Sequence, residues 1–314
     1  MFGFDDFKGN TPIADLRYNI EEKYNHFFPN GEAYLKGLYK KNKKENPINF
    51  HIDDEPIISP YAKNERINIQ ENFLAFLWCI CFYMLWYYEN TQIKVDYLAN
   101  SDAREMQNLE SHATQLFEWA MSLKTKFSSW NLRLPNPTPE KEPLSPMAVK
   151  LSLKTNDLFS RVTAIILFHE LGHIYGEHSP LTNDEFIQCE IDADNFSNEC
   201  VFNNQNKSLS EAQKSINILA LLLSRGYMFF AIPRLNALQQ NRHPNLVVRY
   251  FHLTNWFCVS DKEKWLTTVQ CFAVLICERF CTYHKICLNP PSNSAQKMLT
   301  WYETELNHIM DLHE

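Results

Sequence analysis

The chain has 314 residues, 45% of them apolar and 14% aromatic, so it can bury a sizeable core. Its formal net charge of −7 gives no basic footprint for nucleic acid, and the one basic run, Lys40-Lys41-Asn42-Lys43-Lys44, reads as a solvated surface segment. Nine cysteines without a C-x-x-C pair fit a reducing compartment such as the cytoplasm, and the N-terminus from Met1 to Lys8 lacks the basic-then-apolar layout of a secretion signal.

In chain order, residues 1–45 read as a polar N-terminal segment with one short helix around Asn30 to Lys41. A single domain is expected over 46–314. Three short alternating runs, Ile48–Ile52, Pro56–Ser59 and Ile67–Ile69, predict a small antiparallel sheet. The remainder reads as helix, so the expected fold class is mainly α with one small sheet (α+β).

Residues 73–88 are almost unbroken apolar. Sixteen such residues with three tyrosines, flanked by Glu71 and Glu89, fall short of the roughly 18–20 that a membrane span needs. A buried helix is the expectation, and a membrane-associated protein using 73–88 and 216–232 is the alternative. An amphipathic helix over 101–127, capped by Ser101 or Asp102, aligns Leu109, Ala113, Leu116 and Ala120 on one face. Prolines 135, 137, 139, 143 and 146 mark a surface loop.

A helix over about 156–178 is predicted to open at Thr155-Asn156-Asp157. Thr182 and Glu185 have the capping-box spacing and predict a second helix over about 183–203. Ser210 and Gln213 repeat that signal at the head of a helical C-terminal part, 210–314, with Arg225 favouring burial in protein over lipid. Further helices are expected over roughly 244–258, 262–286 and 293–312.

The chemistry lies in His169-Glu170-Leu171-Gly172-His173. Histidines four residues apart stack on one helix face, because an α-helix turns once every 3.6 residues, and two imidazoles so placed can close on one Zn²⁺ with Glu170 as general base. Val162, Ile166, His169, His173 and Gly176 form one stripe. Gly172 costs about 1 kcal/mol of helix stability relative to alanine and hints at close packing or substrate access.

For the third ligand, a histidine six residues after His173 is needed by one zinc-peptidase class. Ser179 stands there, and His178 is one position early. Glu190 fits better: on the second helix it shares a face with Phe186, Ala193, Ser197 and Cys200, and an inward carboxylate needs a counter-charge. Asp194, one turn on, can accept the other ring N–H of His169 or His173, whereas Asp192 projects elsewhere. Arg249 and His243, the latter within Arg242-His243-Pro244, are candidates for the oxyanion. The expected activity is zinc-dependent peptide hydrolysis. A non-catalytic binding module with a structural zinc, filled by His178, is the competing reading.

Phe168-His-Glu-Leu-Gly-His-Ile174, His178, Cys189-Glu-Ile-Asp-Ala-Asp194 and Arg242-His-Pro244 with Arg249 resemble a gluzincin peptidase with H-E-x-x-H and E-x-x-A-D motifs. More narrowly, they resemble the Lit family of bacterial phage-exclusion peptidases. The resemblance is sharp over 160–202 and looser over 240–250. It implies a gluzincin-like core, Zn²⁺ on His169, His173 and Glu190, a catalytic Glu170, and a sheet edge near 48–69 that holds an extended substrate. It further implies a host protein target, the translation factor EF-Tu, cut once a phage capsid peptide is bound to it in abortive infection.

Overall fold

The structure, a computed structural model, describes residues 11–312 except for 44, 94–102, 140–143, 180–181, 203–208, 239–244, 260–265 and 291–293. The expected caps Ser101 and Asp102, and Arg242-His243-Pro244, lie outside the described residues. Contacts group the chain into two compact units, one of Met1–Glu177 with Ala193–Asn206 and one of His178–Asp192 with Lys207–Glu314.

The first unit contains α1 (Arg17–Phe27), α2 (Gly31–Lys41), β1 (Ile48–His51), β2 (Tyr61–Lys63), β3 (Arg66–Gln70), α3 (Glu71–Ile93), α4 (Ala103–Ser122) and α5 (Pro146–Tyr175). It also takes the second half of α6 (Asn183–Phe202). The helix α3 is apolar on all sides because it is central: Phe73, Phe76, Trp78 and Phe82 are fully buried, and α4 and α5 pack against it. The expected stripe of α4 is buried at Leu109, Ala113, Leu116 and Ala120.

Mainly α with one small sheet is the architecture found, but the sheet is mixed, not wholly antiparallel. Its order is β1-β3-β2, with β2 antiparallel and β1 parallel to β3. The β2–β3 hairpin turns on Asn64 and Glu65, both at positive φ (51° and 58°), a geometry that matches the twist of tight hairpins. The predicted strand at Pro56–Ser59 is absent because its donors go elsewhere. The Ile58 N–H donates to the Gln70 side chain at 2.9 Å and the Ile57 N–H to the Leu123 carbonyl at 3.0 Å. Gln70 and Asn72, both buried, donate in turn to Asp53 and the 53–56 backbone, so side chains replace the ladder.

The motif helix α5 begins ten residues earlier than the polar Thr155-Asn156-Asp157 run suggested. Ser145 is its N-cap, accepting from the Ala148 N–H at 3.2 Å, with Pro146 at the first turn. Inside the helix Thr155 donates to the Leu151 carbonyl. Asn156 accepts the Trp78 indole N–H at 2.8 Å and donates to the Pro137 carbonyl. These residues are buried polar links, not a start signal. α1, unforeseen, covers the C-terminal part of α5: Tyr24 stacks on Phe168 at 4.9 Å, and Phe27 and Phe28 meet the same ring edge-on.

The second unit contains the first half of α6, then α7 (Glu211–Ala231), α8 (Leu246–Val259), α9 (Leu266–Tyr283) and α10 (Ala295–Asp311). Both predicted capping boxes form, with reciprocal bonds between Thr182 and Glu185 and between Ser210 and Gln213. α7 packs on α8 and α9, and α9 on α10. At Gly226 a Cβ would lie 2.8 Å from the Ile276 Cδ1, so the glycine permits the α7–α9 approach. Arg225 on α7 is 3% exposed. Among the described residues no helix is long and apolar enough to cross a membrane.

Candidate active site

The last two turns of α5 carry His169, Glu170 and His173, with His169 and Glu170 buried and His173 half-buried. The helix stops directly after them, with Gly176 as C-cap and Glu177 at φ 49°. Opposite, within the same unit, lie Ala193 and Asp194 of α6. Asp194 Oδ1 is 2.8 Å from His169 Nδ1. That contact requires the proton on Nδ1, which in a neutral ring leaves Nε2 with its lone pair outward. The Nε2 atoms of His169 and His173 are 3.2 Å apart, their rings nearly perpendicular at 88°.

That separation suits a shared ion. Two nitrogens each 2.0–2.1 Å from one tetrahedral centre stand roughly 3.3 Å apart. α6 is one unbroken helix, so Glu190 sits one turn before Asp194 on the same face. His169, His173 and Glu190 form a group with one donor atom each, all within 4.8 Å of one another, and can hold a metal ion. His178 is not in that group. The nitrogen pair is already at ligand spacing.

Gly172 faces Ala193. A Cβ built there would lie 2.9 Å from the Ala193 Cα and 3.3 Å from its carbonyl oxygen. Of the two roles its cost suggested, close packing is the one seen. Gly172→Ala gains about 1 kcal/mol of helix propensity. It also thrusts a methyl into backbone that no rotamer change can move, and overpacking of that kind costs about 1–3 kcal/mol. We expect a net loss, read as a lower midpoint in urea denaturation.

Glu190 and Arg249 are both 9% exposed at their side chains, with Arg249 Nη1 3.3 Å from Glu190 Oε2. Besides an ion, Arg249 is thus a second counter-charge for the inward Glu190 carboxylate. Asp192 is exposed and accepts from the Gln188 side chain at 2.8 Å.

Among the described residues the core cysteines offer no competing nucleophile. Burial pushes the thiols of Cys79, Cys81, Cys200, Cys277 and Cys281 up, to about 12 at Cys200 and Cys281. Cys189, next to Glu190, is raised first by desolvation and then by Asp192, Glu190 and Glu185. A thiolate is the reactive form, so these groups are chemically quiet.

His169, His173 and Glu190 can hold a metal ion, with the buried Glu170 carboxylate next to His169 in the chain, and the chain is a peptidase. Residues 67–269, more than half of its length, match the model of the family Peptidase U49, and the chain belongs to that family. The matched segment runs from β3 into α9 and includes His169, Glu170, His173, Glu190, Asp194 and Arg249. No curated protein and no solved structure matches the chain.

Proposed function

We propose that the chain is a zinc-dependent endopeptidase of gluzincin type that cleaves a host protein during phage infection. The observation that carries the metal is the imidazole pair, with its Nε2 atoms 3.2 Å apart and Asp194 fixing one ring. A zinc ion held by His169, His173 and Glu190 would supply a Lewis acid and bring the pKa of a coordinated water to about 7.

The protein's own groups do the rest. Glu170, buried at 7% exposure, takes the proton of the attacking water and delivers it to the nitrogen of the departing amine. Asp194 keeps the His169 proton on Nδ1, so that Nε2 stays available as a donor atom. His243 is the group proposed to face the substrate carbonyl as it becomes an oxyanion. Edge strand β2, which packs on α5, offers unpaired backbone to an extended substrate.

The resemblance to the Lit family supports a cytoplasmic protein target, a translation factor such as EF-Tu, and a phage-derived activator. Purified chain, zinc and EF-Tu are to be incubated with and without a phage capsid peptide. Discrete EF-Tu fragments are expected with the parent and none with Glu170→Gln. Absence of cleavage of EF-Tu and of every protein in a host lysate, or equal cleavage by the variant, would overturn the proposal.

A further inference from the structure

We infer that Arg249 is a positioning residue: it holds the carboxylate of Glu190 in the orientation from which that carboxylate binds the metal. The inference rests on the metal-centre reading above and gives Arg249 a different task from stabilising an oxyanion.

Glu190 and Arg249 belong to the same compact unit, the first on α6 and the second on α8. Arg249 Nη1 is 3.3 Å from Glu190 Oε2, and the two side chains are equally buried, each 9% exposed. The same Nη1 lies 3.6 Å from the sulfur of Met228 on α7, so the guanidinium is also seated against a neighbouring helix. The start of α8 is set by Asn245, whose side chain accepts from the Val247 and Val248 N–H groups.

A carboxylate has about four lone-pair sites. A guanidinium occupying part of that capacity fixes the carboxylate plane and leaves the remainder for an ion. Partners of metal ligands commonly act in this way, and losing them typically weakens metal binding about 10–100-fold. In the metal-free protein an arginine that swung away would leave Glu190 as a buried unpaired charge, which is strongly unfavourable, so the pair holds the carboxylate in place until an ion arrives. The pair also explains how Glu190 can be buried before any ion binds.

The test measures zinc affinity by competition with a chelating dye for the parent, Arg249→Met, Arg249→Lys, Glu190→Gln and the Arg249→Met/Glu190→Gln double variant. Arg249→Met should weaken zinc about 10–100-fold, with Arg249→Lys recovering part of the loss. In the Glu190→Gln background the same replacement should add less than about threefold, because the residue through which it acts is gone.

A loss of less than about twofold for Arg249→Met, a gain in affinity, or an undiminished effect in the Glu190→Gln background would overturn the inference while leaving the metal centre standing. A parent that binds no zinc would overturn both. Should Arg249→Met fail to fold by circular dichroism, Arg249→Gln takes its place in the same cycle, with a loss of at least about threefold expected and an unchanged affinity counting against.

Discussion

Glu170→Gln should reduce peptide hydrolysis by a factor of about 10²–10⁴, the range that a positioned general base contributes. The two side chains are nearly isosteric, so the buried site is filled as before, but an amide cannot accept the water's proton or return it to the leaving amine. Glu170 is not among the three donor atoms that can hold the metal. The variant should therefore retain its metal and its unfolding midpoint and lose kcat alone. Parallel cleavage time courses and metal analysis of the two proteins check both halves. Loss of metal together with activity would move Glu170 from proton transfer into the ligand set, and an unchanged rate would remove it from the chemistry.

Stripping the protein with a chelator should abolish hydrolysis and lower stability, and zinc should restore both. His169 and Glu190 are 8% and 7% exposed, so without the ion the site keeps polar groups in a buried environment. An ion that binds only the folded chain stabilises it by about 4 kcal/mol at a thousandfold excess over its Kd. For a chain of 314 residues, unfolding entropy then translates this into a rise in Tm of roughly 6 °C. Differential scanning calorimetry of stripped and zinc-loaded protein measures the shift. A stripped protein as stable and as active as the loaded one would exclude a resident metal.

The helix and cap signals were the most legible part of the fold. Thr182–Glu185 and Ser210–Gln213 act within four residues, so the bonds they form are fixed before any tertiary contact, and both were readable. Helical periodicity likewise aligned His169 with His173 and Glu190 with Asp194, and helix packing through Gly172 and Ala193 then set Asp194 against His169.

What was missed depends on distant partners. Asn156 resembled a cap until Trp78, 78 residues earlier, gave its side chain a buried acceptor role. The extended run at 56–59 became a loop because Gln70 claims its backbone from within β3. Helix α1 and the 3₁₀ turn before it (Pro12–Leu16) did leave a signal: Ile13 and Leu16 of the turn and Ile20, Tyr24 and Phe27 of the helix recur every three or four residues and are all buried, though charged neighbours obscured the stripe. The Glu190–Arg249 contact had no local trace, since 59 positions separate residues whose meeting is decided by how α6 and α8 pack.

The metal centre is the claim on which the chemistry depends, and elemental analysis of purified protein tests it most directly. The parent should carry about one zinc per chain, and His169→Ala, His173→Ala and Glu190→Gln should each fall to a small fraction of that, with folding verified by circular dichroism. A parent free of metal after growth and dialysis in zinc, or variants that keep the full complement, would contradict the account.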